Sequence, residues 1–349
     1  MRHRLSFALL CALLAFATSA KAQQQQYQVA CIGFYNLENL FDPVDSPDTD
    51  DAEFTPDGLN HWTEEVYADK LRNMARVIAH MGNEVTPDGP AILGVSEIEN
   101  RRVLEDLSAQ PAISSRNYQT IQFDSPDKRG VDVALLYQPK YFTPQEARPL
   151  HVFGPNAAKG DTLFTRDVLY VKGLLGGEPI HLFVNHWPSR RGGEERSSPL
   201  REYAAGVARA VVDSILAKDP MAKIFFMGDL NDYPTNKSVR KVMLGVEKAK
   251  SVKDRELFNP WYDLYKKGIG TTAYQDTWGL FDMILMSKGA INKKDDGYHL
   301  HKWRIVNDGF LIQKTDRYKG YPFRTFSNGN YQGGFSDHFP VVVYLVKKI

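Results

Sequence analysis

Six apolar runs in this chain end, or begin, in side chains that bind cations or move protons. "GFYNLENL" carries Asn36 and Glu38 as it closes, and "ILGVSEIEN" delivers Glu97 with Glu99 and Asn100 behind it. "LFVNHWPSR" delivers Asn185 and His186, and "FFMGDLND" delivers Asp229, Asn231 and Asp232. "GLFDMILMS" opens with Asp282, and "GGFSDHFPVVVYLV" sets Asp337 and His338 in front of an apolar strand. If these runs lie side by side, their ends share one rim. That rim holds hard oxygen donors, two imidazoles and one or two amides, the inventory for a divalent cation and proton transfer. Singly, each residue is as well explained as a turn former or a cap. It is the combination that points to chemistry.

The elements that must position these groups are legible as patterns. "YQVACIGFY", "AILGVS", "VDVALLY", "DVLYVKGLL", "IHLFVNH", "KIFFMGDL", "FDMILMS" and "FPVVVYLV" are short and rich in β-branched or aromatic residues, and read as strands. Several are almost continuously apolar, as strands covered on both faces are. Helical periodicity marks "EEVYADKLRNMARVIAHMG", where Leu71, Met74, Ala75 and Ile78 share a face, and "SPLREYAAGVARAVVDSILAK". A weaker version marks "ENRRVLEDLSAQ". No repeat and no Pro/Gly/Ser linker divides the chain. The expectation is one domain over residues 23–349, two sheets packed together with helices outside.

Residues 1–22 read as an export signal. Arg2 and Arg4 precede the apolar "LSFALLCALLAFA", and "SAKA" is a small-x-small cleavage site ending at Ala22. Cys11 lacks small residues before it, so a lipid-anchored form is not expected. The expected localisation is periplasmic or secreted. Cleavage leaves Cys31 as the sole cysteine, so the mature chain holds no internal disulfide. It also removes Arg2, Arg4 and Lys21, leaving 40 Lys+Arg against 42 Asp+Glu. Such a balance exerts no global pull on polyanions. "FDPVDSPDTDDAEF" lacks the glycine and terminal glutamate of a helix-loop-helix calcium loop and reads as a solvated acidic loop.

Two other hydrolase classes are excluded on motif. "GVSEI" lacks the second glycine of a serine nucleophile elbow, and no H-E-x-x-H occurs. In "HWPSRRGGEERSSPLRE" four arginines follow His186, and Arg190 is placed to grip an anionic group. Asn185, beside His186, is expected to touch substrate with it.

The ordered series from "FYNLENLF" to "SDHFPV" resembles the endonuclease/exonuclease/phosphatase family, the fold of pancreatic deoxyribonuclease and the apurinic-site endonucleases. "GDLND" is similar to its Gly-Asp-aromatic-Asn signature with Leu230 in third place, "RGVDVALLY" to its Gly-x-x-hydrophobic strand, and "SDH" to its closing triplet. The resemblance implies an α/β (α+β) four-layer sandwich of two packed mixed β-sheets flanked by helices. It implies Glu97 as principal metal carboxylate, with Asn36, Asp337 and, ranked lower, Glu38 in the metal shell. Asp229 then orients the attacking water and Asn231 holds the phosphate. His186 contacts the phosphate, and His338, oriented by Asp282, stands at the scissile position.

The implied cofactor is Mg²⁺, or Mn²⁺, with Ca²⁺ less suited. The implied activity is that of an exported metal-dependent phosphoesterase, foremost a phosphodiesterase or nuclease working by in-line attack of activated water. A phosphomonoesterase or a lipid-head-group or inositol-phosphate phosphatase of the same fold is the alternative, and a non-catalytic binding module a second. The implied partner is a phosphate ester, nucleic acid among the options, with no stable protein partner and no transmembrane segment after cleavage. Trp187, Tyr233, Trp261, Trp278 and Tyr331 are the aromatics available to stack on bases.

Overall fold

The apolar runs fold as the strands they predict. The computed structural model describes residues 26–156, 161–327 and 329–349; the signal read over residues 1–22 lies outside them. β1 (Tyr27–Leu40), β2 (Ile92–Ile98), β3 (Gln119–Gln122) and β4 (Asp132–Tyr137) build most of a first sheet. The chain then crosses to a second sheet. This contains β5 (Phe142–Leu150), β6 (Val168–Leu175), β7 (Glu178–His186), β8 (Lys223–Asp229), β9 (Gly245–Val246), β10 (Leu257–Phe258) and β11 (Asp282–Ser287). It returns to the first with β12 (His299–Ile305) and β13 (Val341–Lys348).

The first sheet runs β12-β13-β1-β2-β4-β3 and the second β9-β10-β11-β8-β7-β6-β5. Both are mixed. β1 pairs parallel with β2 and antiparallel with β13, while β8 pairs parallel with β7 and antiparallel with β11. The sheets meet across one apolar core. At its centre the approach is so close that a Cβ on Gly94 of β2 would lie 2.6 Å from Met227 Sδ on β8. Any side chain there would have to push Met227 aside.

Three long helices flank the sheets. α1 (Glu64–His80) starts where the Thr63 side chain accepts the Val66 N–H, and buries the expected Leu71, Met74, Ala75 and Ile78. α2 (Arg101–Ser108) is capped by Asn100, which accepts the Val103 N–H at 3.1 Å. α3 (Glu194–Lys218) begins four residues before the periodic run. Cys31 is free and buried, and burial holds its thiol far above the usual range. Among the described residues no helix is long and apolar enough to cross a membrane.

The acidic loop after β1 differs from the expectation. Asp45, Asp48 and Asp50 are exposed, but Asp42 and Asp51 are buried. Asp42 accepts from Asn100 Nδ2 at 3.3 Å and Asp51 from the Ser46 N–H at 3.3 Å. Asp42 therefore ties the loop to the start of α2, and Asp51 ties the loop to itself.

Candidate active site

Register brings three of the predicted residues side by side. Asp229 ends β8 directly opposite His186 of β7 on one flank and Asp282 of β11 on the other. Side chains at matched positions of neighbouring strands point to the same face, so these three face one way. Glu97 arrives differently, as the extra residue of a bulge between Ser96 and Ile98. Its φ of 59° is left-handed, as are those of Glu38, Asn39 and Asn231. Bulges and left-handed residues re-aim side chains at a cost of about 1–3 kcal/mol each. Here they cluster at the ends of β1, β2 and β8.

The groups converge. Asn36 Nδ2 donates to Asp229 Oδ2 at 3.1 Å and to Glu97 Oε1 at 3.2 Å, linking the two sheets across 193 residues of sequence. The Asn39 N–H donates to Glu97 Oε2 at 3.1 Å, and the Asn231 N–H to Asp229 Oδ1 at 3.0 Å. His186 Nε2 lies 3.6 Å from Glu97 Oε1 and 3.7 Å from Asp229 Oδ2. His338 Nδ1 is 2.7 Å from Asp282 Oδ2, and its Nε2 is 3.9 Å from Asp229 Oδ2. The Ser-Asp-His triplet is pinned to β1: Ser336 Oγ donates to Asn36 O at 2.7 Å and accepts the His338 N–H at 3.1 Å.

Burial separates the titration of these groups. It lifts the Asp229 carboxyl to about 7, against the opposing charge of His338. Burial, then the Arg166 guanidinium, pushes His186 well below the ordinary imidazole value, so its ring is neutral at pH 7. Burial alone would depress His338 as well, but the carboxylates of Asp282 and Asp229 carry it well above 6.5. One imidazole is therefore neutral and the other cationic, a division that assigns different proton roles.

Three predicted residues stand apart from this cluster. Asn185 is fully buried, its amide donating to Met227 O at 2.9 Å and accepting from Trp187 Nε1 at 3.1 Å. It is a brace between β7 and β8, not a substrate contact. Arg190 is likewise committed. Its Nε donates to Asn231 O at 2.8 Å, its Nη1 meets Glu194 at 2.6 Å, and its guanidinium lies 4.0 Å from the Tyr233 ring centroid. It holds the Asn231 turn from behind. Glu38 turns away from Glu97 to accept from the Thr325 N–H at 2.6 Å and Arg324 Nε at 3.3 Å. Burial and then Asp337 lift its carboxyl to about 7.

The expected metal foursome is therefore rearranged. Ligand-type atoms within 4.8 Å of one another come from Glu97, His186 and Asp229, and from Asp229, Asp282 and His338. Asp337 stands at the rim, paired with Arg324 Nη2 at 2.8 Å. Asn36 presents its nitrogen to the carboxylates, because its oxygen accepts the Glu38 N–H at 2.9 Å. Two carboxylates and a neutral imidazole, with Glu97 partly open to solvent, form a donor set that fits a divalent cation.

Sequence reasoning missed the supports. Arg166, six per cent exposed, donates to His186 O at 3.1 Å and Trp187 O at 2.7 Å and pairs with Asp127 at 2.9 Å. Lys70 of α1, fully buried, donates to Thr325 Oγ1 at 2.5 Å and Phe335 O at 2.7 Å. It anchors the segment that carries Arg324 and Asp337. The only sequence signal for either was a charge inside an otherwise buried pattern. Of the aromatics expected to stack on bases, Trp187 and Trp261 are buried and Trp278 stacks on Phe339. Tyr233 stacks between Tyr265 and Phe281, and Tyr331 bonds Asp69.

A profile of the Endonuclease/Exonuclease/phosphatase family matches residues 31–347. No curated protein sequence matches the chain. Solved structures do. D. rerio TDP2 complexed with single strand DNA product aligns with a TM-score of 0.54 at 14% identity, covering 91% of this chain and 99% of that one. An endonuclease/exonuclease/phosphatase family protein from Bacteroides thetaiotaomicron aligns with a TM-score of 0.54 at 16% identity, covering 92% and 99%. The human Nocturnin catalytic domain with bound sulfate anion gives 0.52 at 15% identity, covering 93% and 98%. At such identities the likeness is one of fold.

Proposed function

The chain belongs to the endonuclease/exonuclease/phosphatase family, whose name spans cleavage of phosphate diesters and monoesters, and from that premise we propose that it is an exported, divalent-cation-dependent phosphodiesterase. The observation that carries this reading is the register of His186, Asp229 and Asp282 on three adjacent strands, closed by His338 at 2.7 Å from Asp282. The signal-like sequence of residues 1–22 supports a periplasmic or secreted location, with 23–349 as one catalytic domain.

In phosphoryl transfer the protein chiefly positions groups and stabilises charge. Asp229, with a carboxyl near 7, accepts the proton of the attacking water at neutral pH. The Asn231 N–H and Asn36 Nδ2 hold that carboxylate in place. His338, kept cationic by Asp282, holds a proton for a phosphate or leaving oxygen at its Nε2. Neutral His186 approaches the same space without adding positive charge. Asn231 Nδ2 gives one hydrogen to Trp187 O at 3.0 Å, and its second is the one available to phosphate. Glu97, Asp229, His186 and rim Asp337 would hold a Mg²⁺ or Mn²⁺, which would supply neutralisation of the phosphate oxygens.

The test compares bis-p-nitrophenyl phosphate, plasmid DNA, RNA and p-nitrophenyl phosphate with Mg²⁺, with Mn²⁺ and after chelation. Diester cleavage that chelation abolishes, and that Glu97→Gln lowers, is the expected result. Monoester turnover alone would move the assignment to the phosphatase alternative. Inertness toward every ester, from a folded protein, would leave only a binding module.

A further inference from the structure

A cavity of about 710 Å³ opens beside the catalytic centre. Its inner end is the Arg324–Asp337 pair, next in sequence to His338. Its walls come from two segments that no motif marked: the hairpin Thr272–Tyr274 with Thr277–Gly279, and residues 313–327 and 330–332 between β12 and β13.

The hairpin turns at Gln275 and Asp276, both with positive φ (47° and 59°). Two-residue turns of this hand ordinarily use Asn and Gly. The strained pair is held from across the cavity. Tyr321 Oη donates to Asp276 Oδ1 at 2.5 Å and accepts the Asp276 N–H at 2.7 Å. So fastened, the turn leaves Tyr274 at the mouth with 75% of its surface exposed. Tyr318 lies against Tyr321 with ring centroids 5.8 Å apart, and the Arg317 guanidinium sits 5.0 Å from the Tyr318 centroid. Gln313 and Gln332 add amides to the lining.

We propose that this cavity seats one nucleobase, so that the substrate is a nucleotide-sized phosphodiester with one base held beside the scissile phosphate. This rests on the phosphodiesterase reading above and names its substrate class. The volume suits a small molecule and not a groove tracking a duplex. The exposed Tyr274 ring can stack on any base, the half-buried Tyr318 adds aromatic wall, and Gln amides match the donor and acceptor edges of bases. Arg324, paired with Asp337 and Glu38, is the cation of the lining on the side of His338. A polyol offers the tyrosines no flat face. A quaternary ammonium would meet the like charge of Arg317 over the Tyr318 ring.

Calorimetric titration of the Mg²⁺-loaded protein with AMP, ribose 5-phosphate and phosphocholine tests this without requiring turnover. AMP is expected to bind at least about fivefold more tightly than ribose 5-phosphate, the low end for base–aromatic stacking. That preference should vanish in Tyr274→Ala and Tyr318→Ala and persist in Tyr318→Phe. Tyr274 is exposed, so its removal does not threaten folding. Equal binding of ribose 5-phosphate or phosphocholine, or a preference unmoved in both alanine variants, would overturn the inference. AMP binding by a protein that cleaves no ester would sink the hydrolase reading and sustain the cavity; diester cleavage without AMP preference would do the reverse.

Discussion

At the proposed catalytic centre the groups are buried or nearly so and tied to neighbours from other segments, whereas the cavity walls a few residues away stand largely in water. Asn36, Asp229 and Asp282 are at most 2% exposed, and Asn36 alone bonds residues of both sheets. Tyr274 and Arg317 are exposed, and the hairpin that carries Tyr274 is fastened across the cavity by Tyr321. The centre needs fixed distances and shifted proton affinities, which only strand ends within a packed core provide. The cavity needs accessible flat faces and tolerates the looser support of loops.

Breaking the centre should give the largest effects. Asp229→Asn is expected to lower kcat for a diester by about 10²–10⁴. It should not destabilise the fold. The buried carboxyl titrates near 7 instead of 3.8, so the native state binds more protons than the unfolded chain between those values. Wild-type stability from this group is then lost as pH rises from about 4 to about 7. Thermal melts in chelator should show the variant gaining on wild type across that window. A variant that loses activity and stability together would make Asp229 a structural residue.

Asp282→Asn should cost about 10²-fold in rate and move the pH profile. With its first supporting carboxylate gone, His338 releases its proton at lower pH, so the alkaline limb of kcat/KM shifts towards acid. An unmoved limb would show that Asp282 does not govern His338. The boundary between the regions is sharpened by Arg190→Ala. A brace behind Asn231 predicts a roughly tenfold loss in kcat at constant KM, as misplacement does, together with a lower Tm. A rise in KM with a changed salt dependence would return Arg190 to the substrate. Smallest of all, Tyr321→Phe removes the two bonds to Asp276. AMP affinity should then fall roughly fivefold, the loss expected from about 1 kcal/mol of hydrogen bonding.

The strands that the sequence revealed were those in the interior of each sheet. β1, β2, β4, β6, β7, β8, β11 and β13 are covered on both faces and therefore read as apolar runs. Edge strands β3, β5 and β9 did not announce themselves. β5 alternates exposed and half-buried residues and contains Pro144 and Pro149, which an edge tolerates. The site followed the same logic. Glu97, Asp229, Asp282 and His338 were visible because side chains of matching chemistry end one apolar run after another along the chain. Asn185, Glu38 and Arg190 occupy equally suggestive positions yet face a neighbouring strand, a loop backbone and a turn.

Residue type and order along the chain, then, determined the fold class, the chemistry of the centre and the family, because burial periodicity and ligand chemistry are local properties of side chains. Direction was decided only in three dimensions. A bulge at Glu97, a shared register at Asp229 and a hairpin fastened by Tyr321 depend on partners tens of residues away in the chain. A shift of one residue in any of them would send the same side chain to the opposite face.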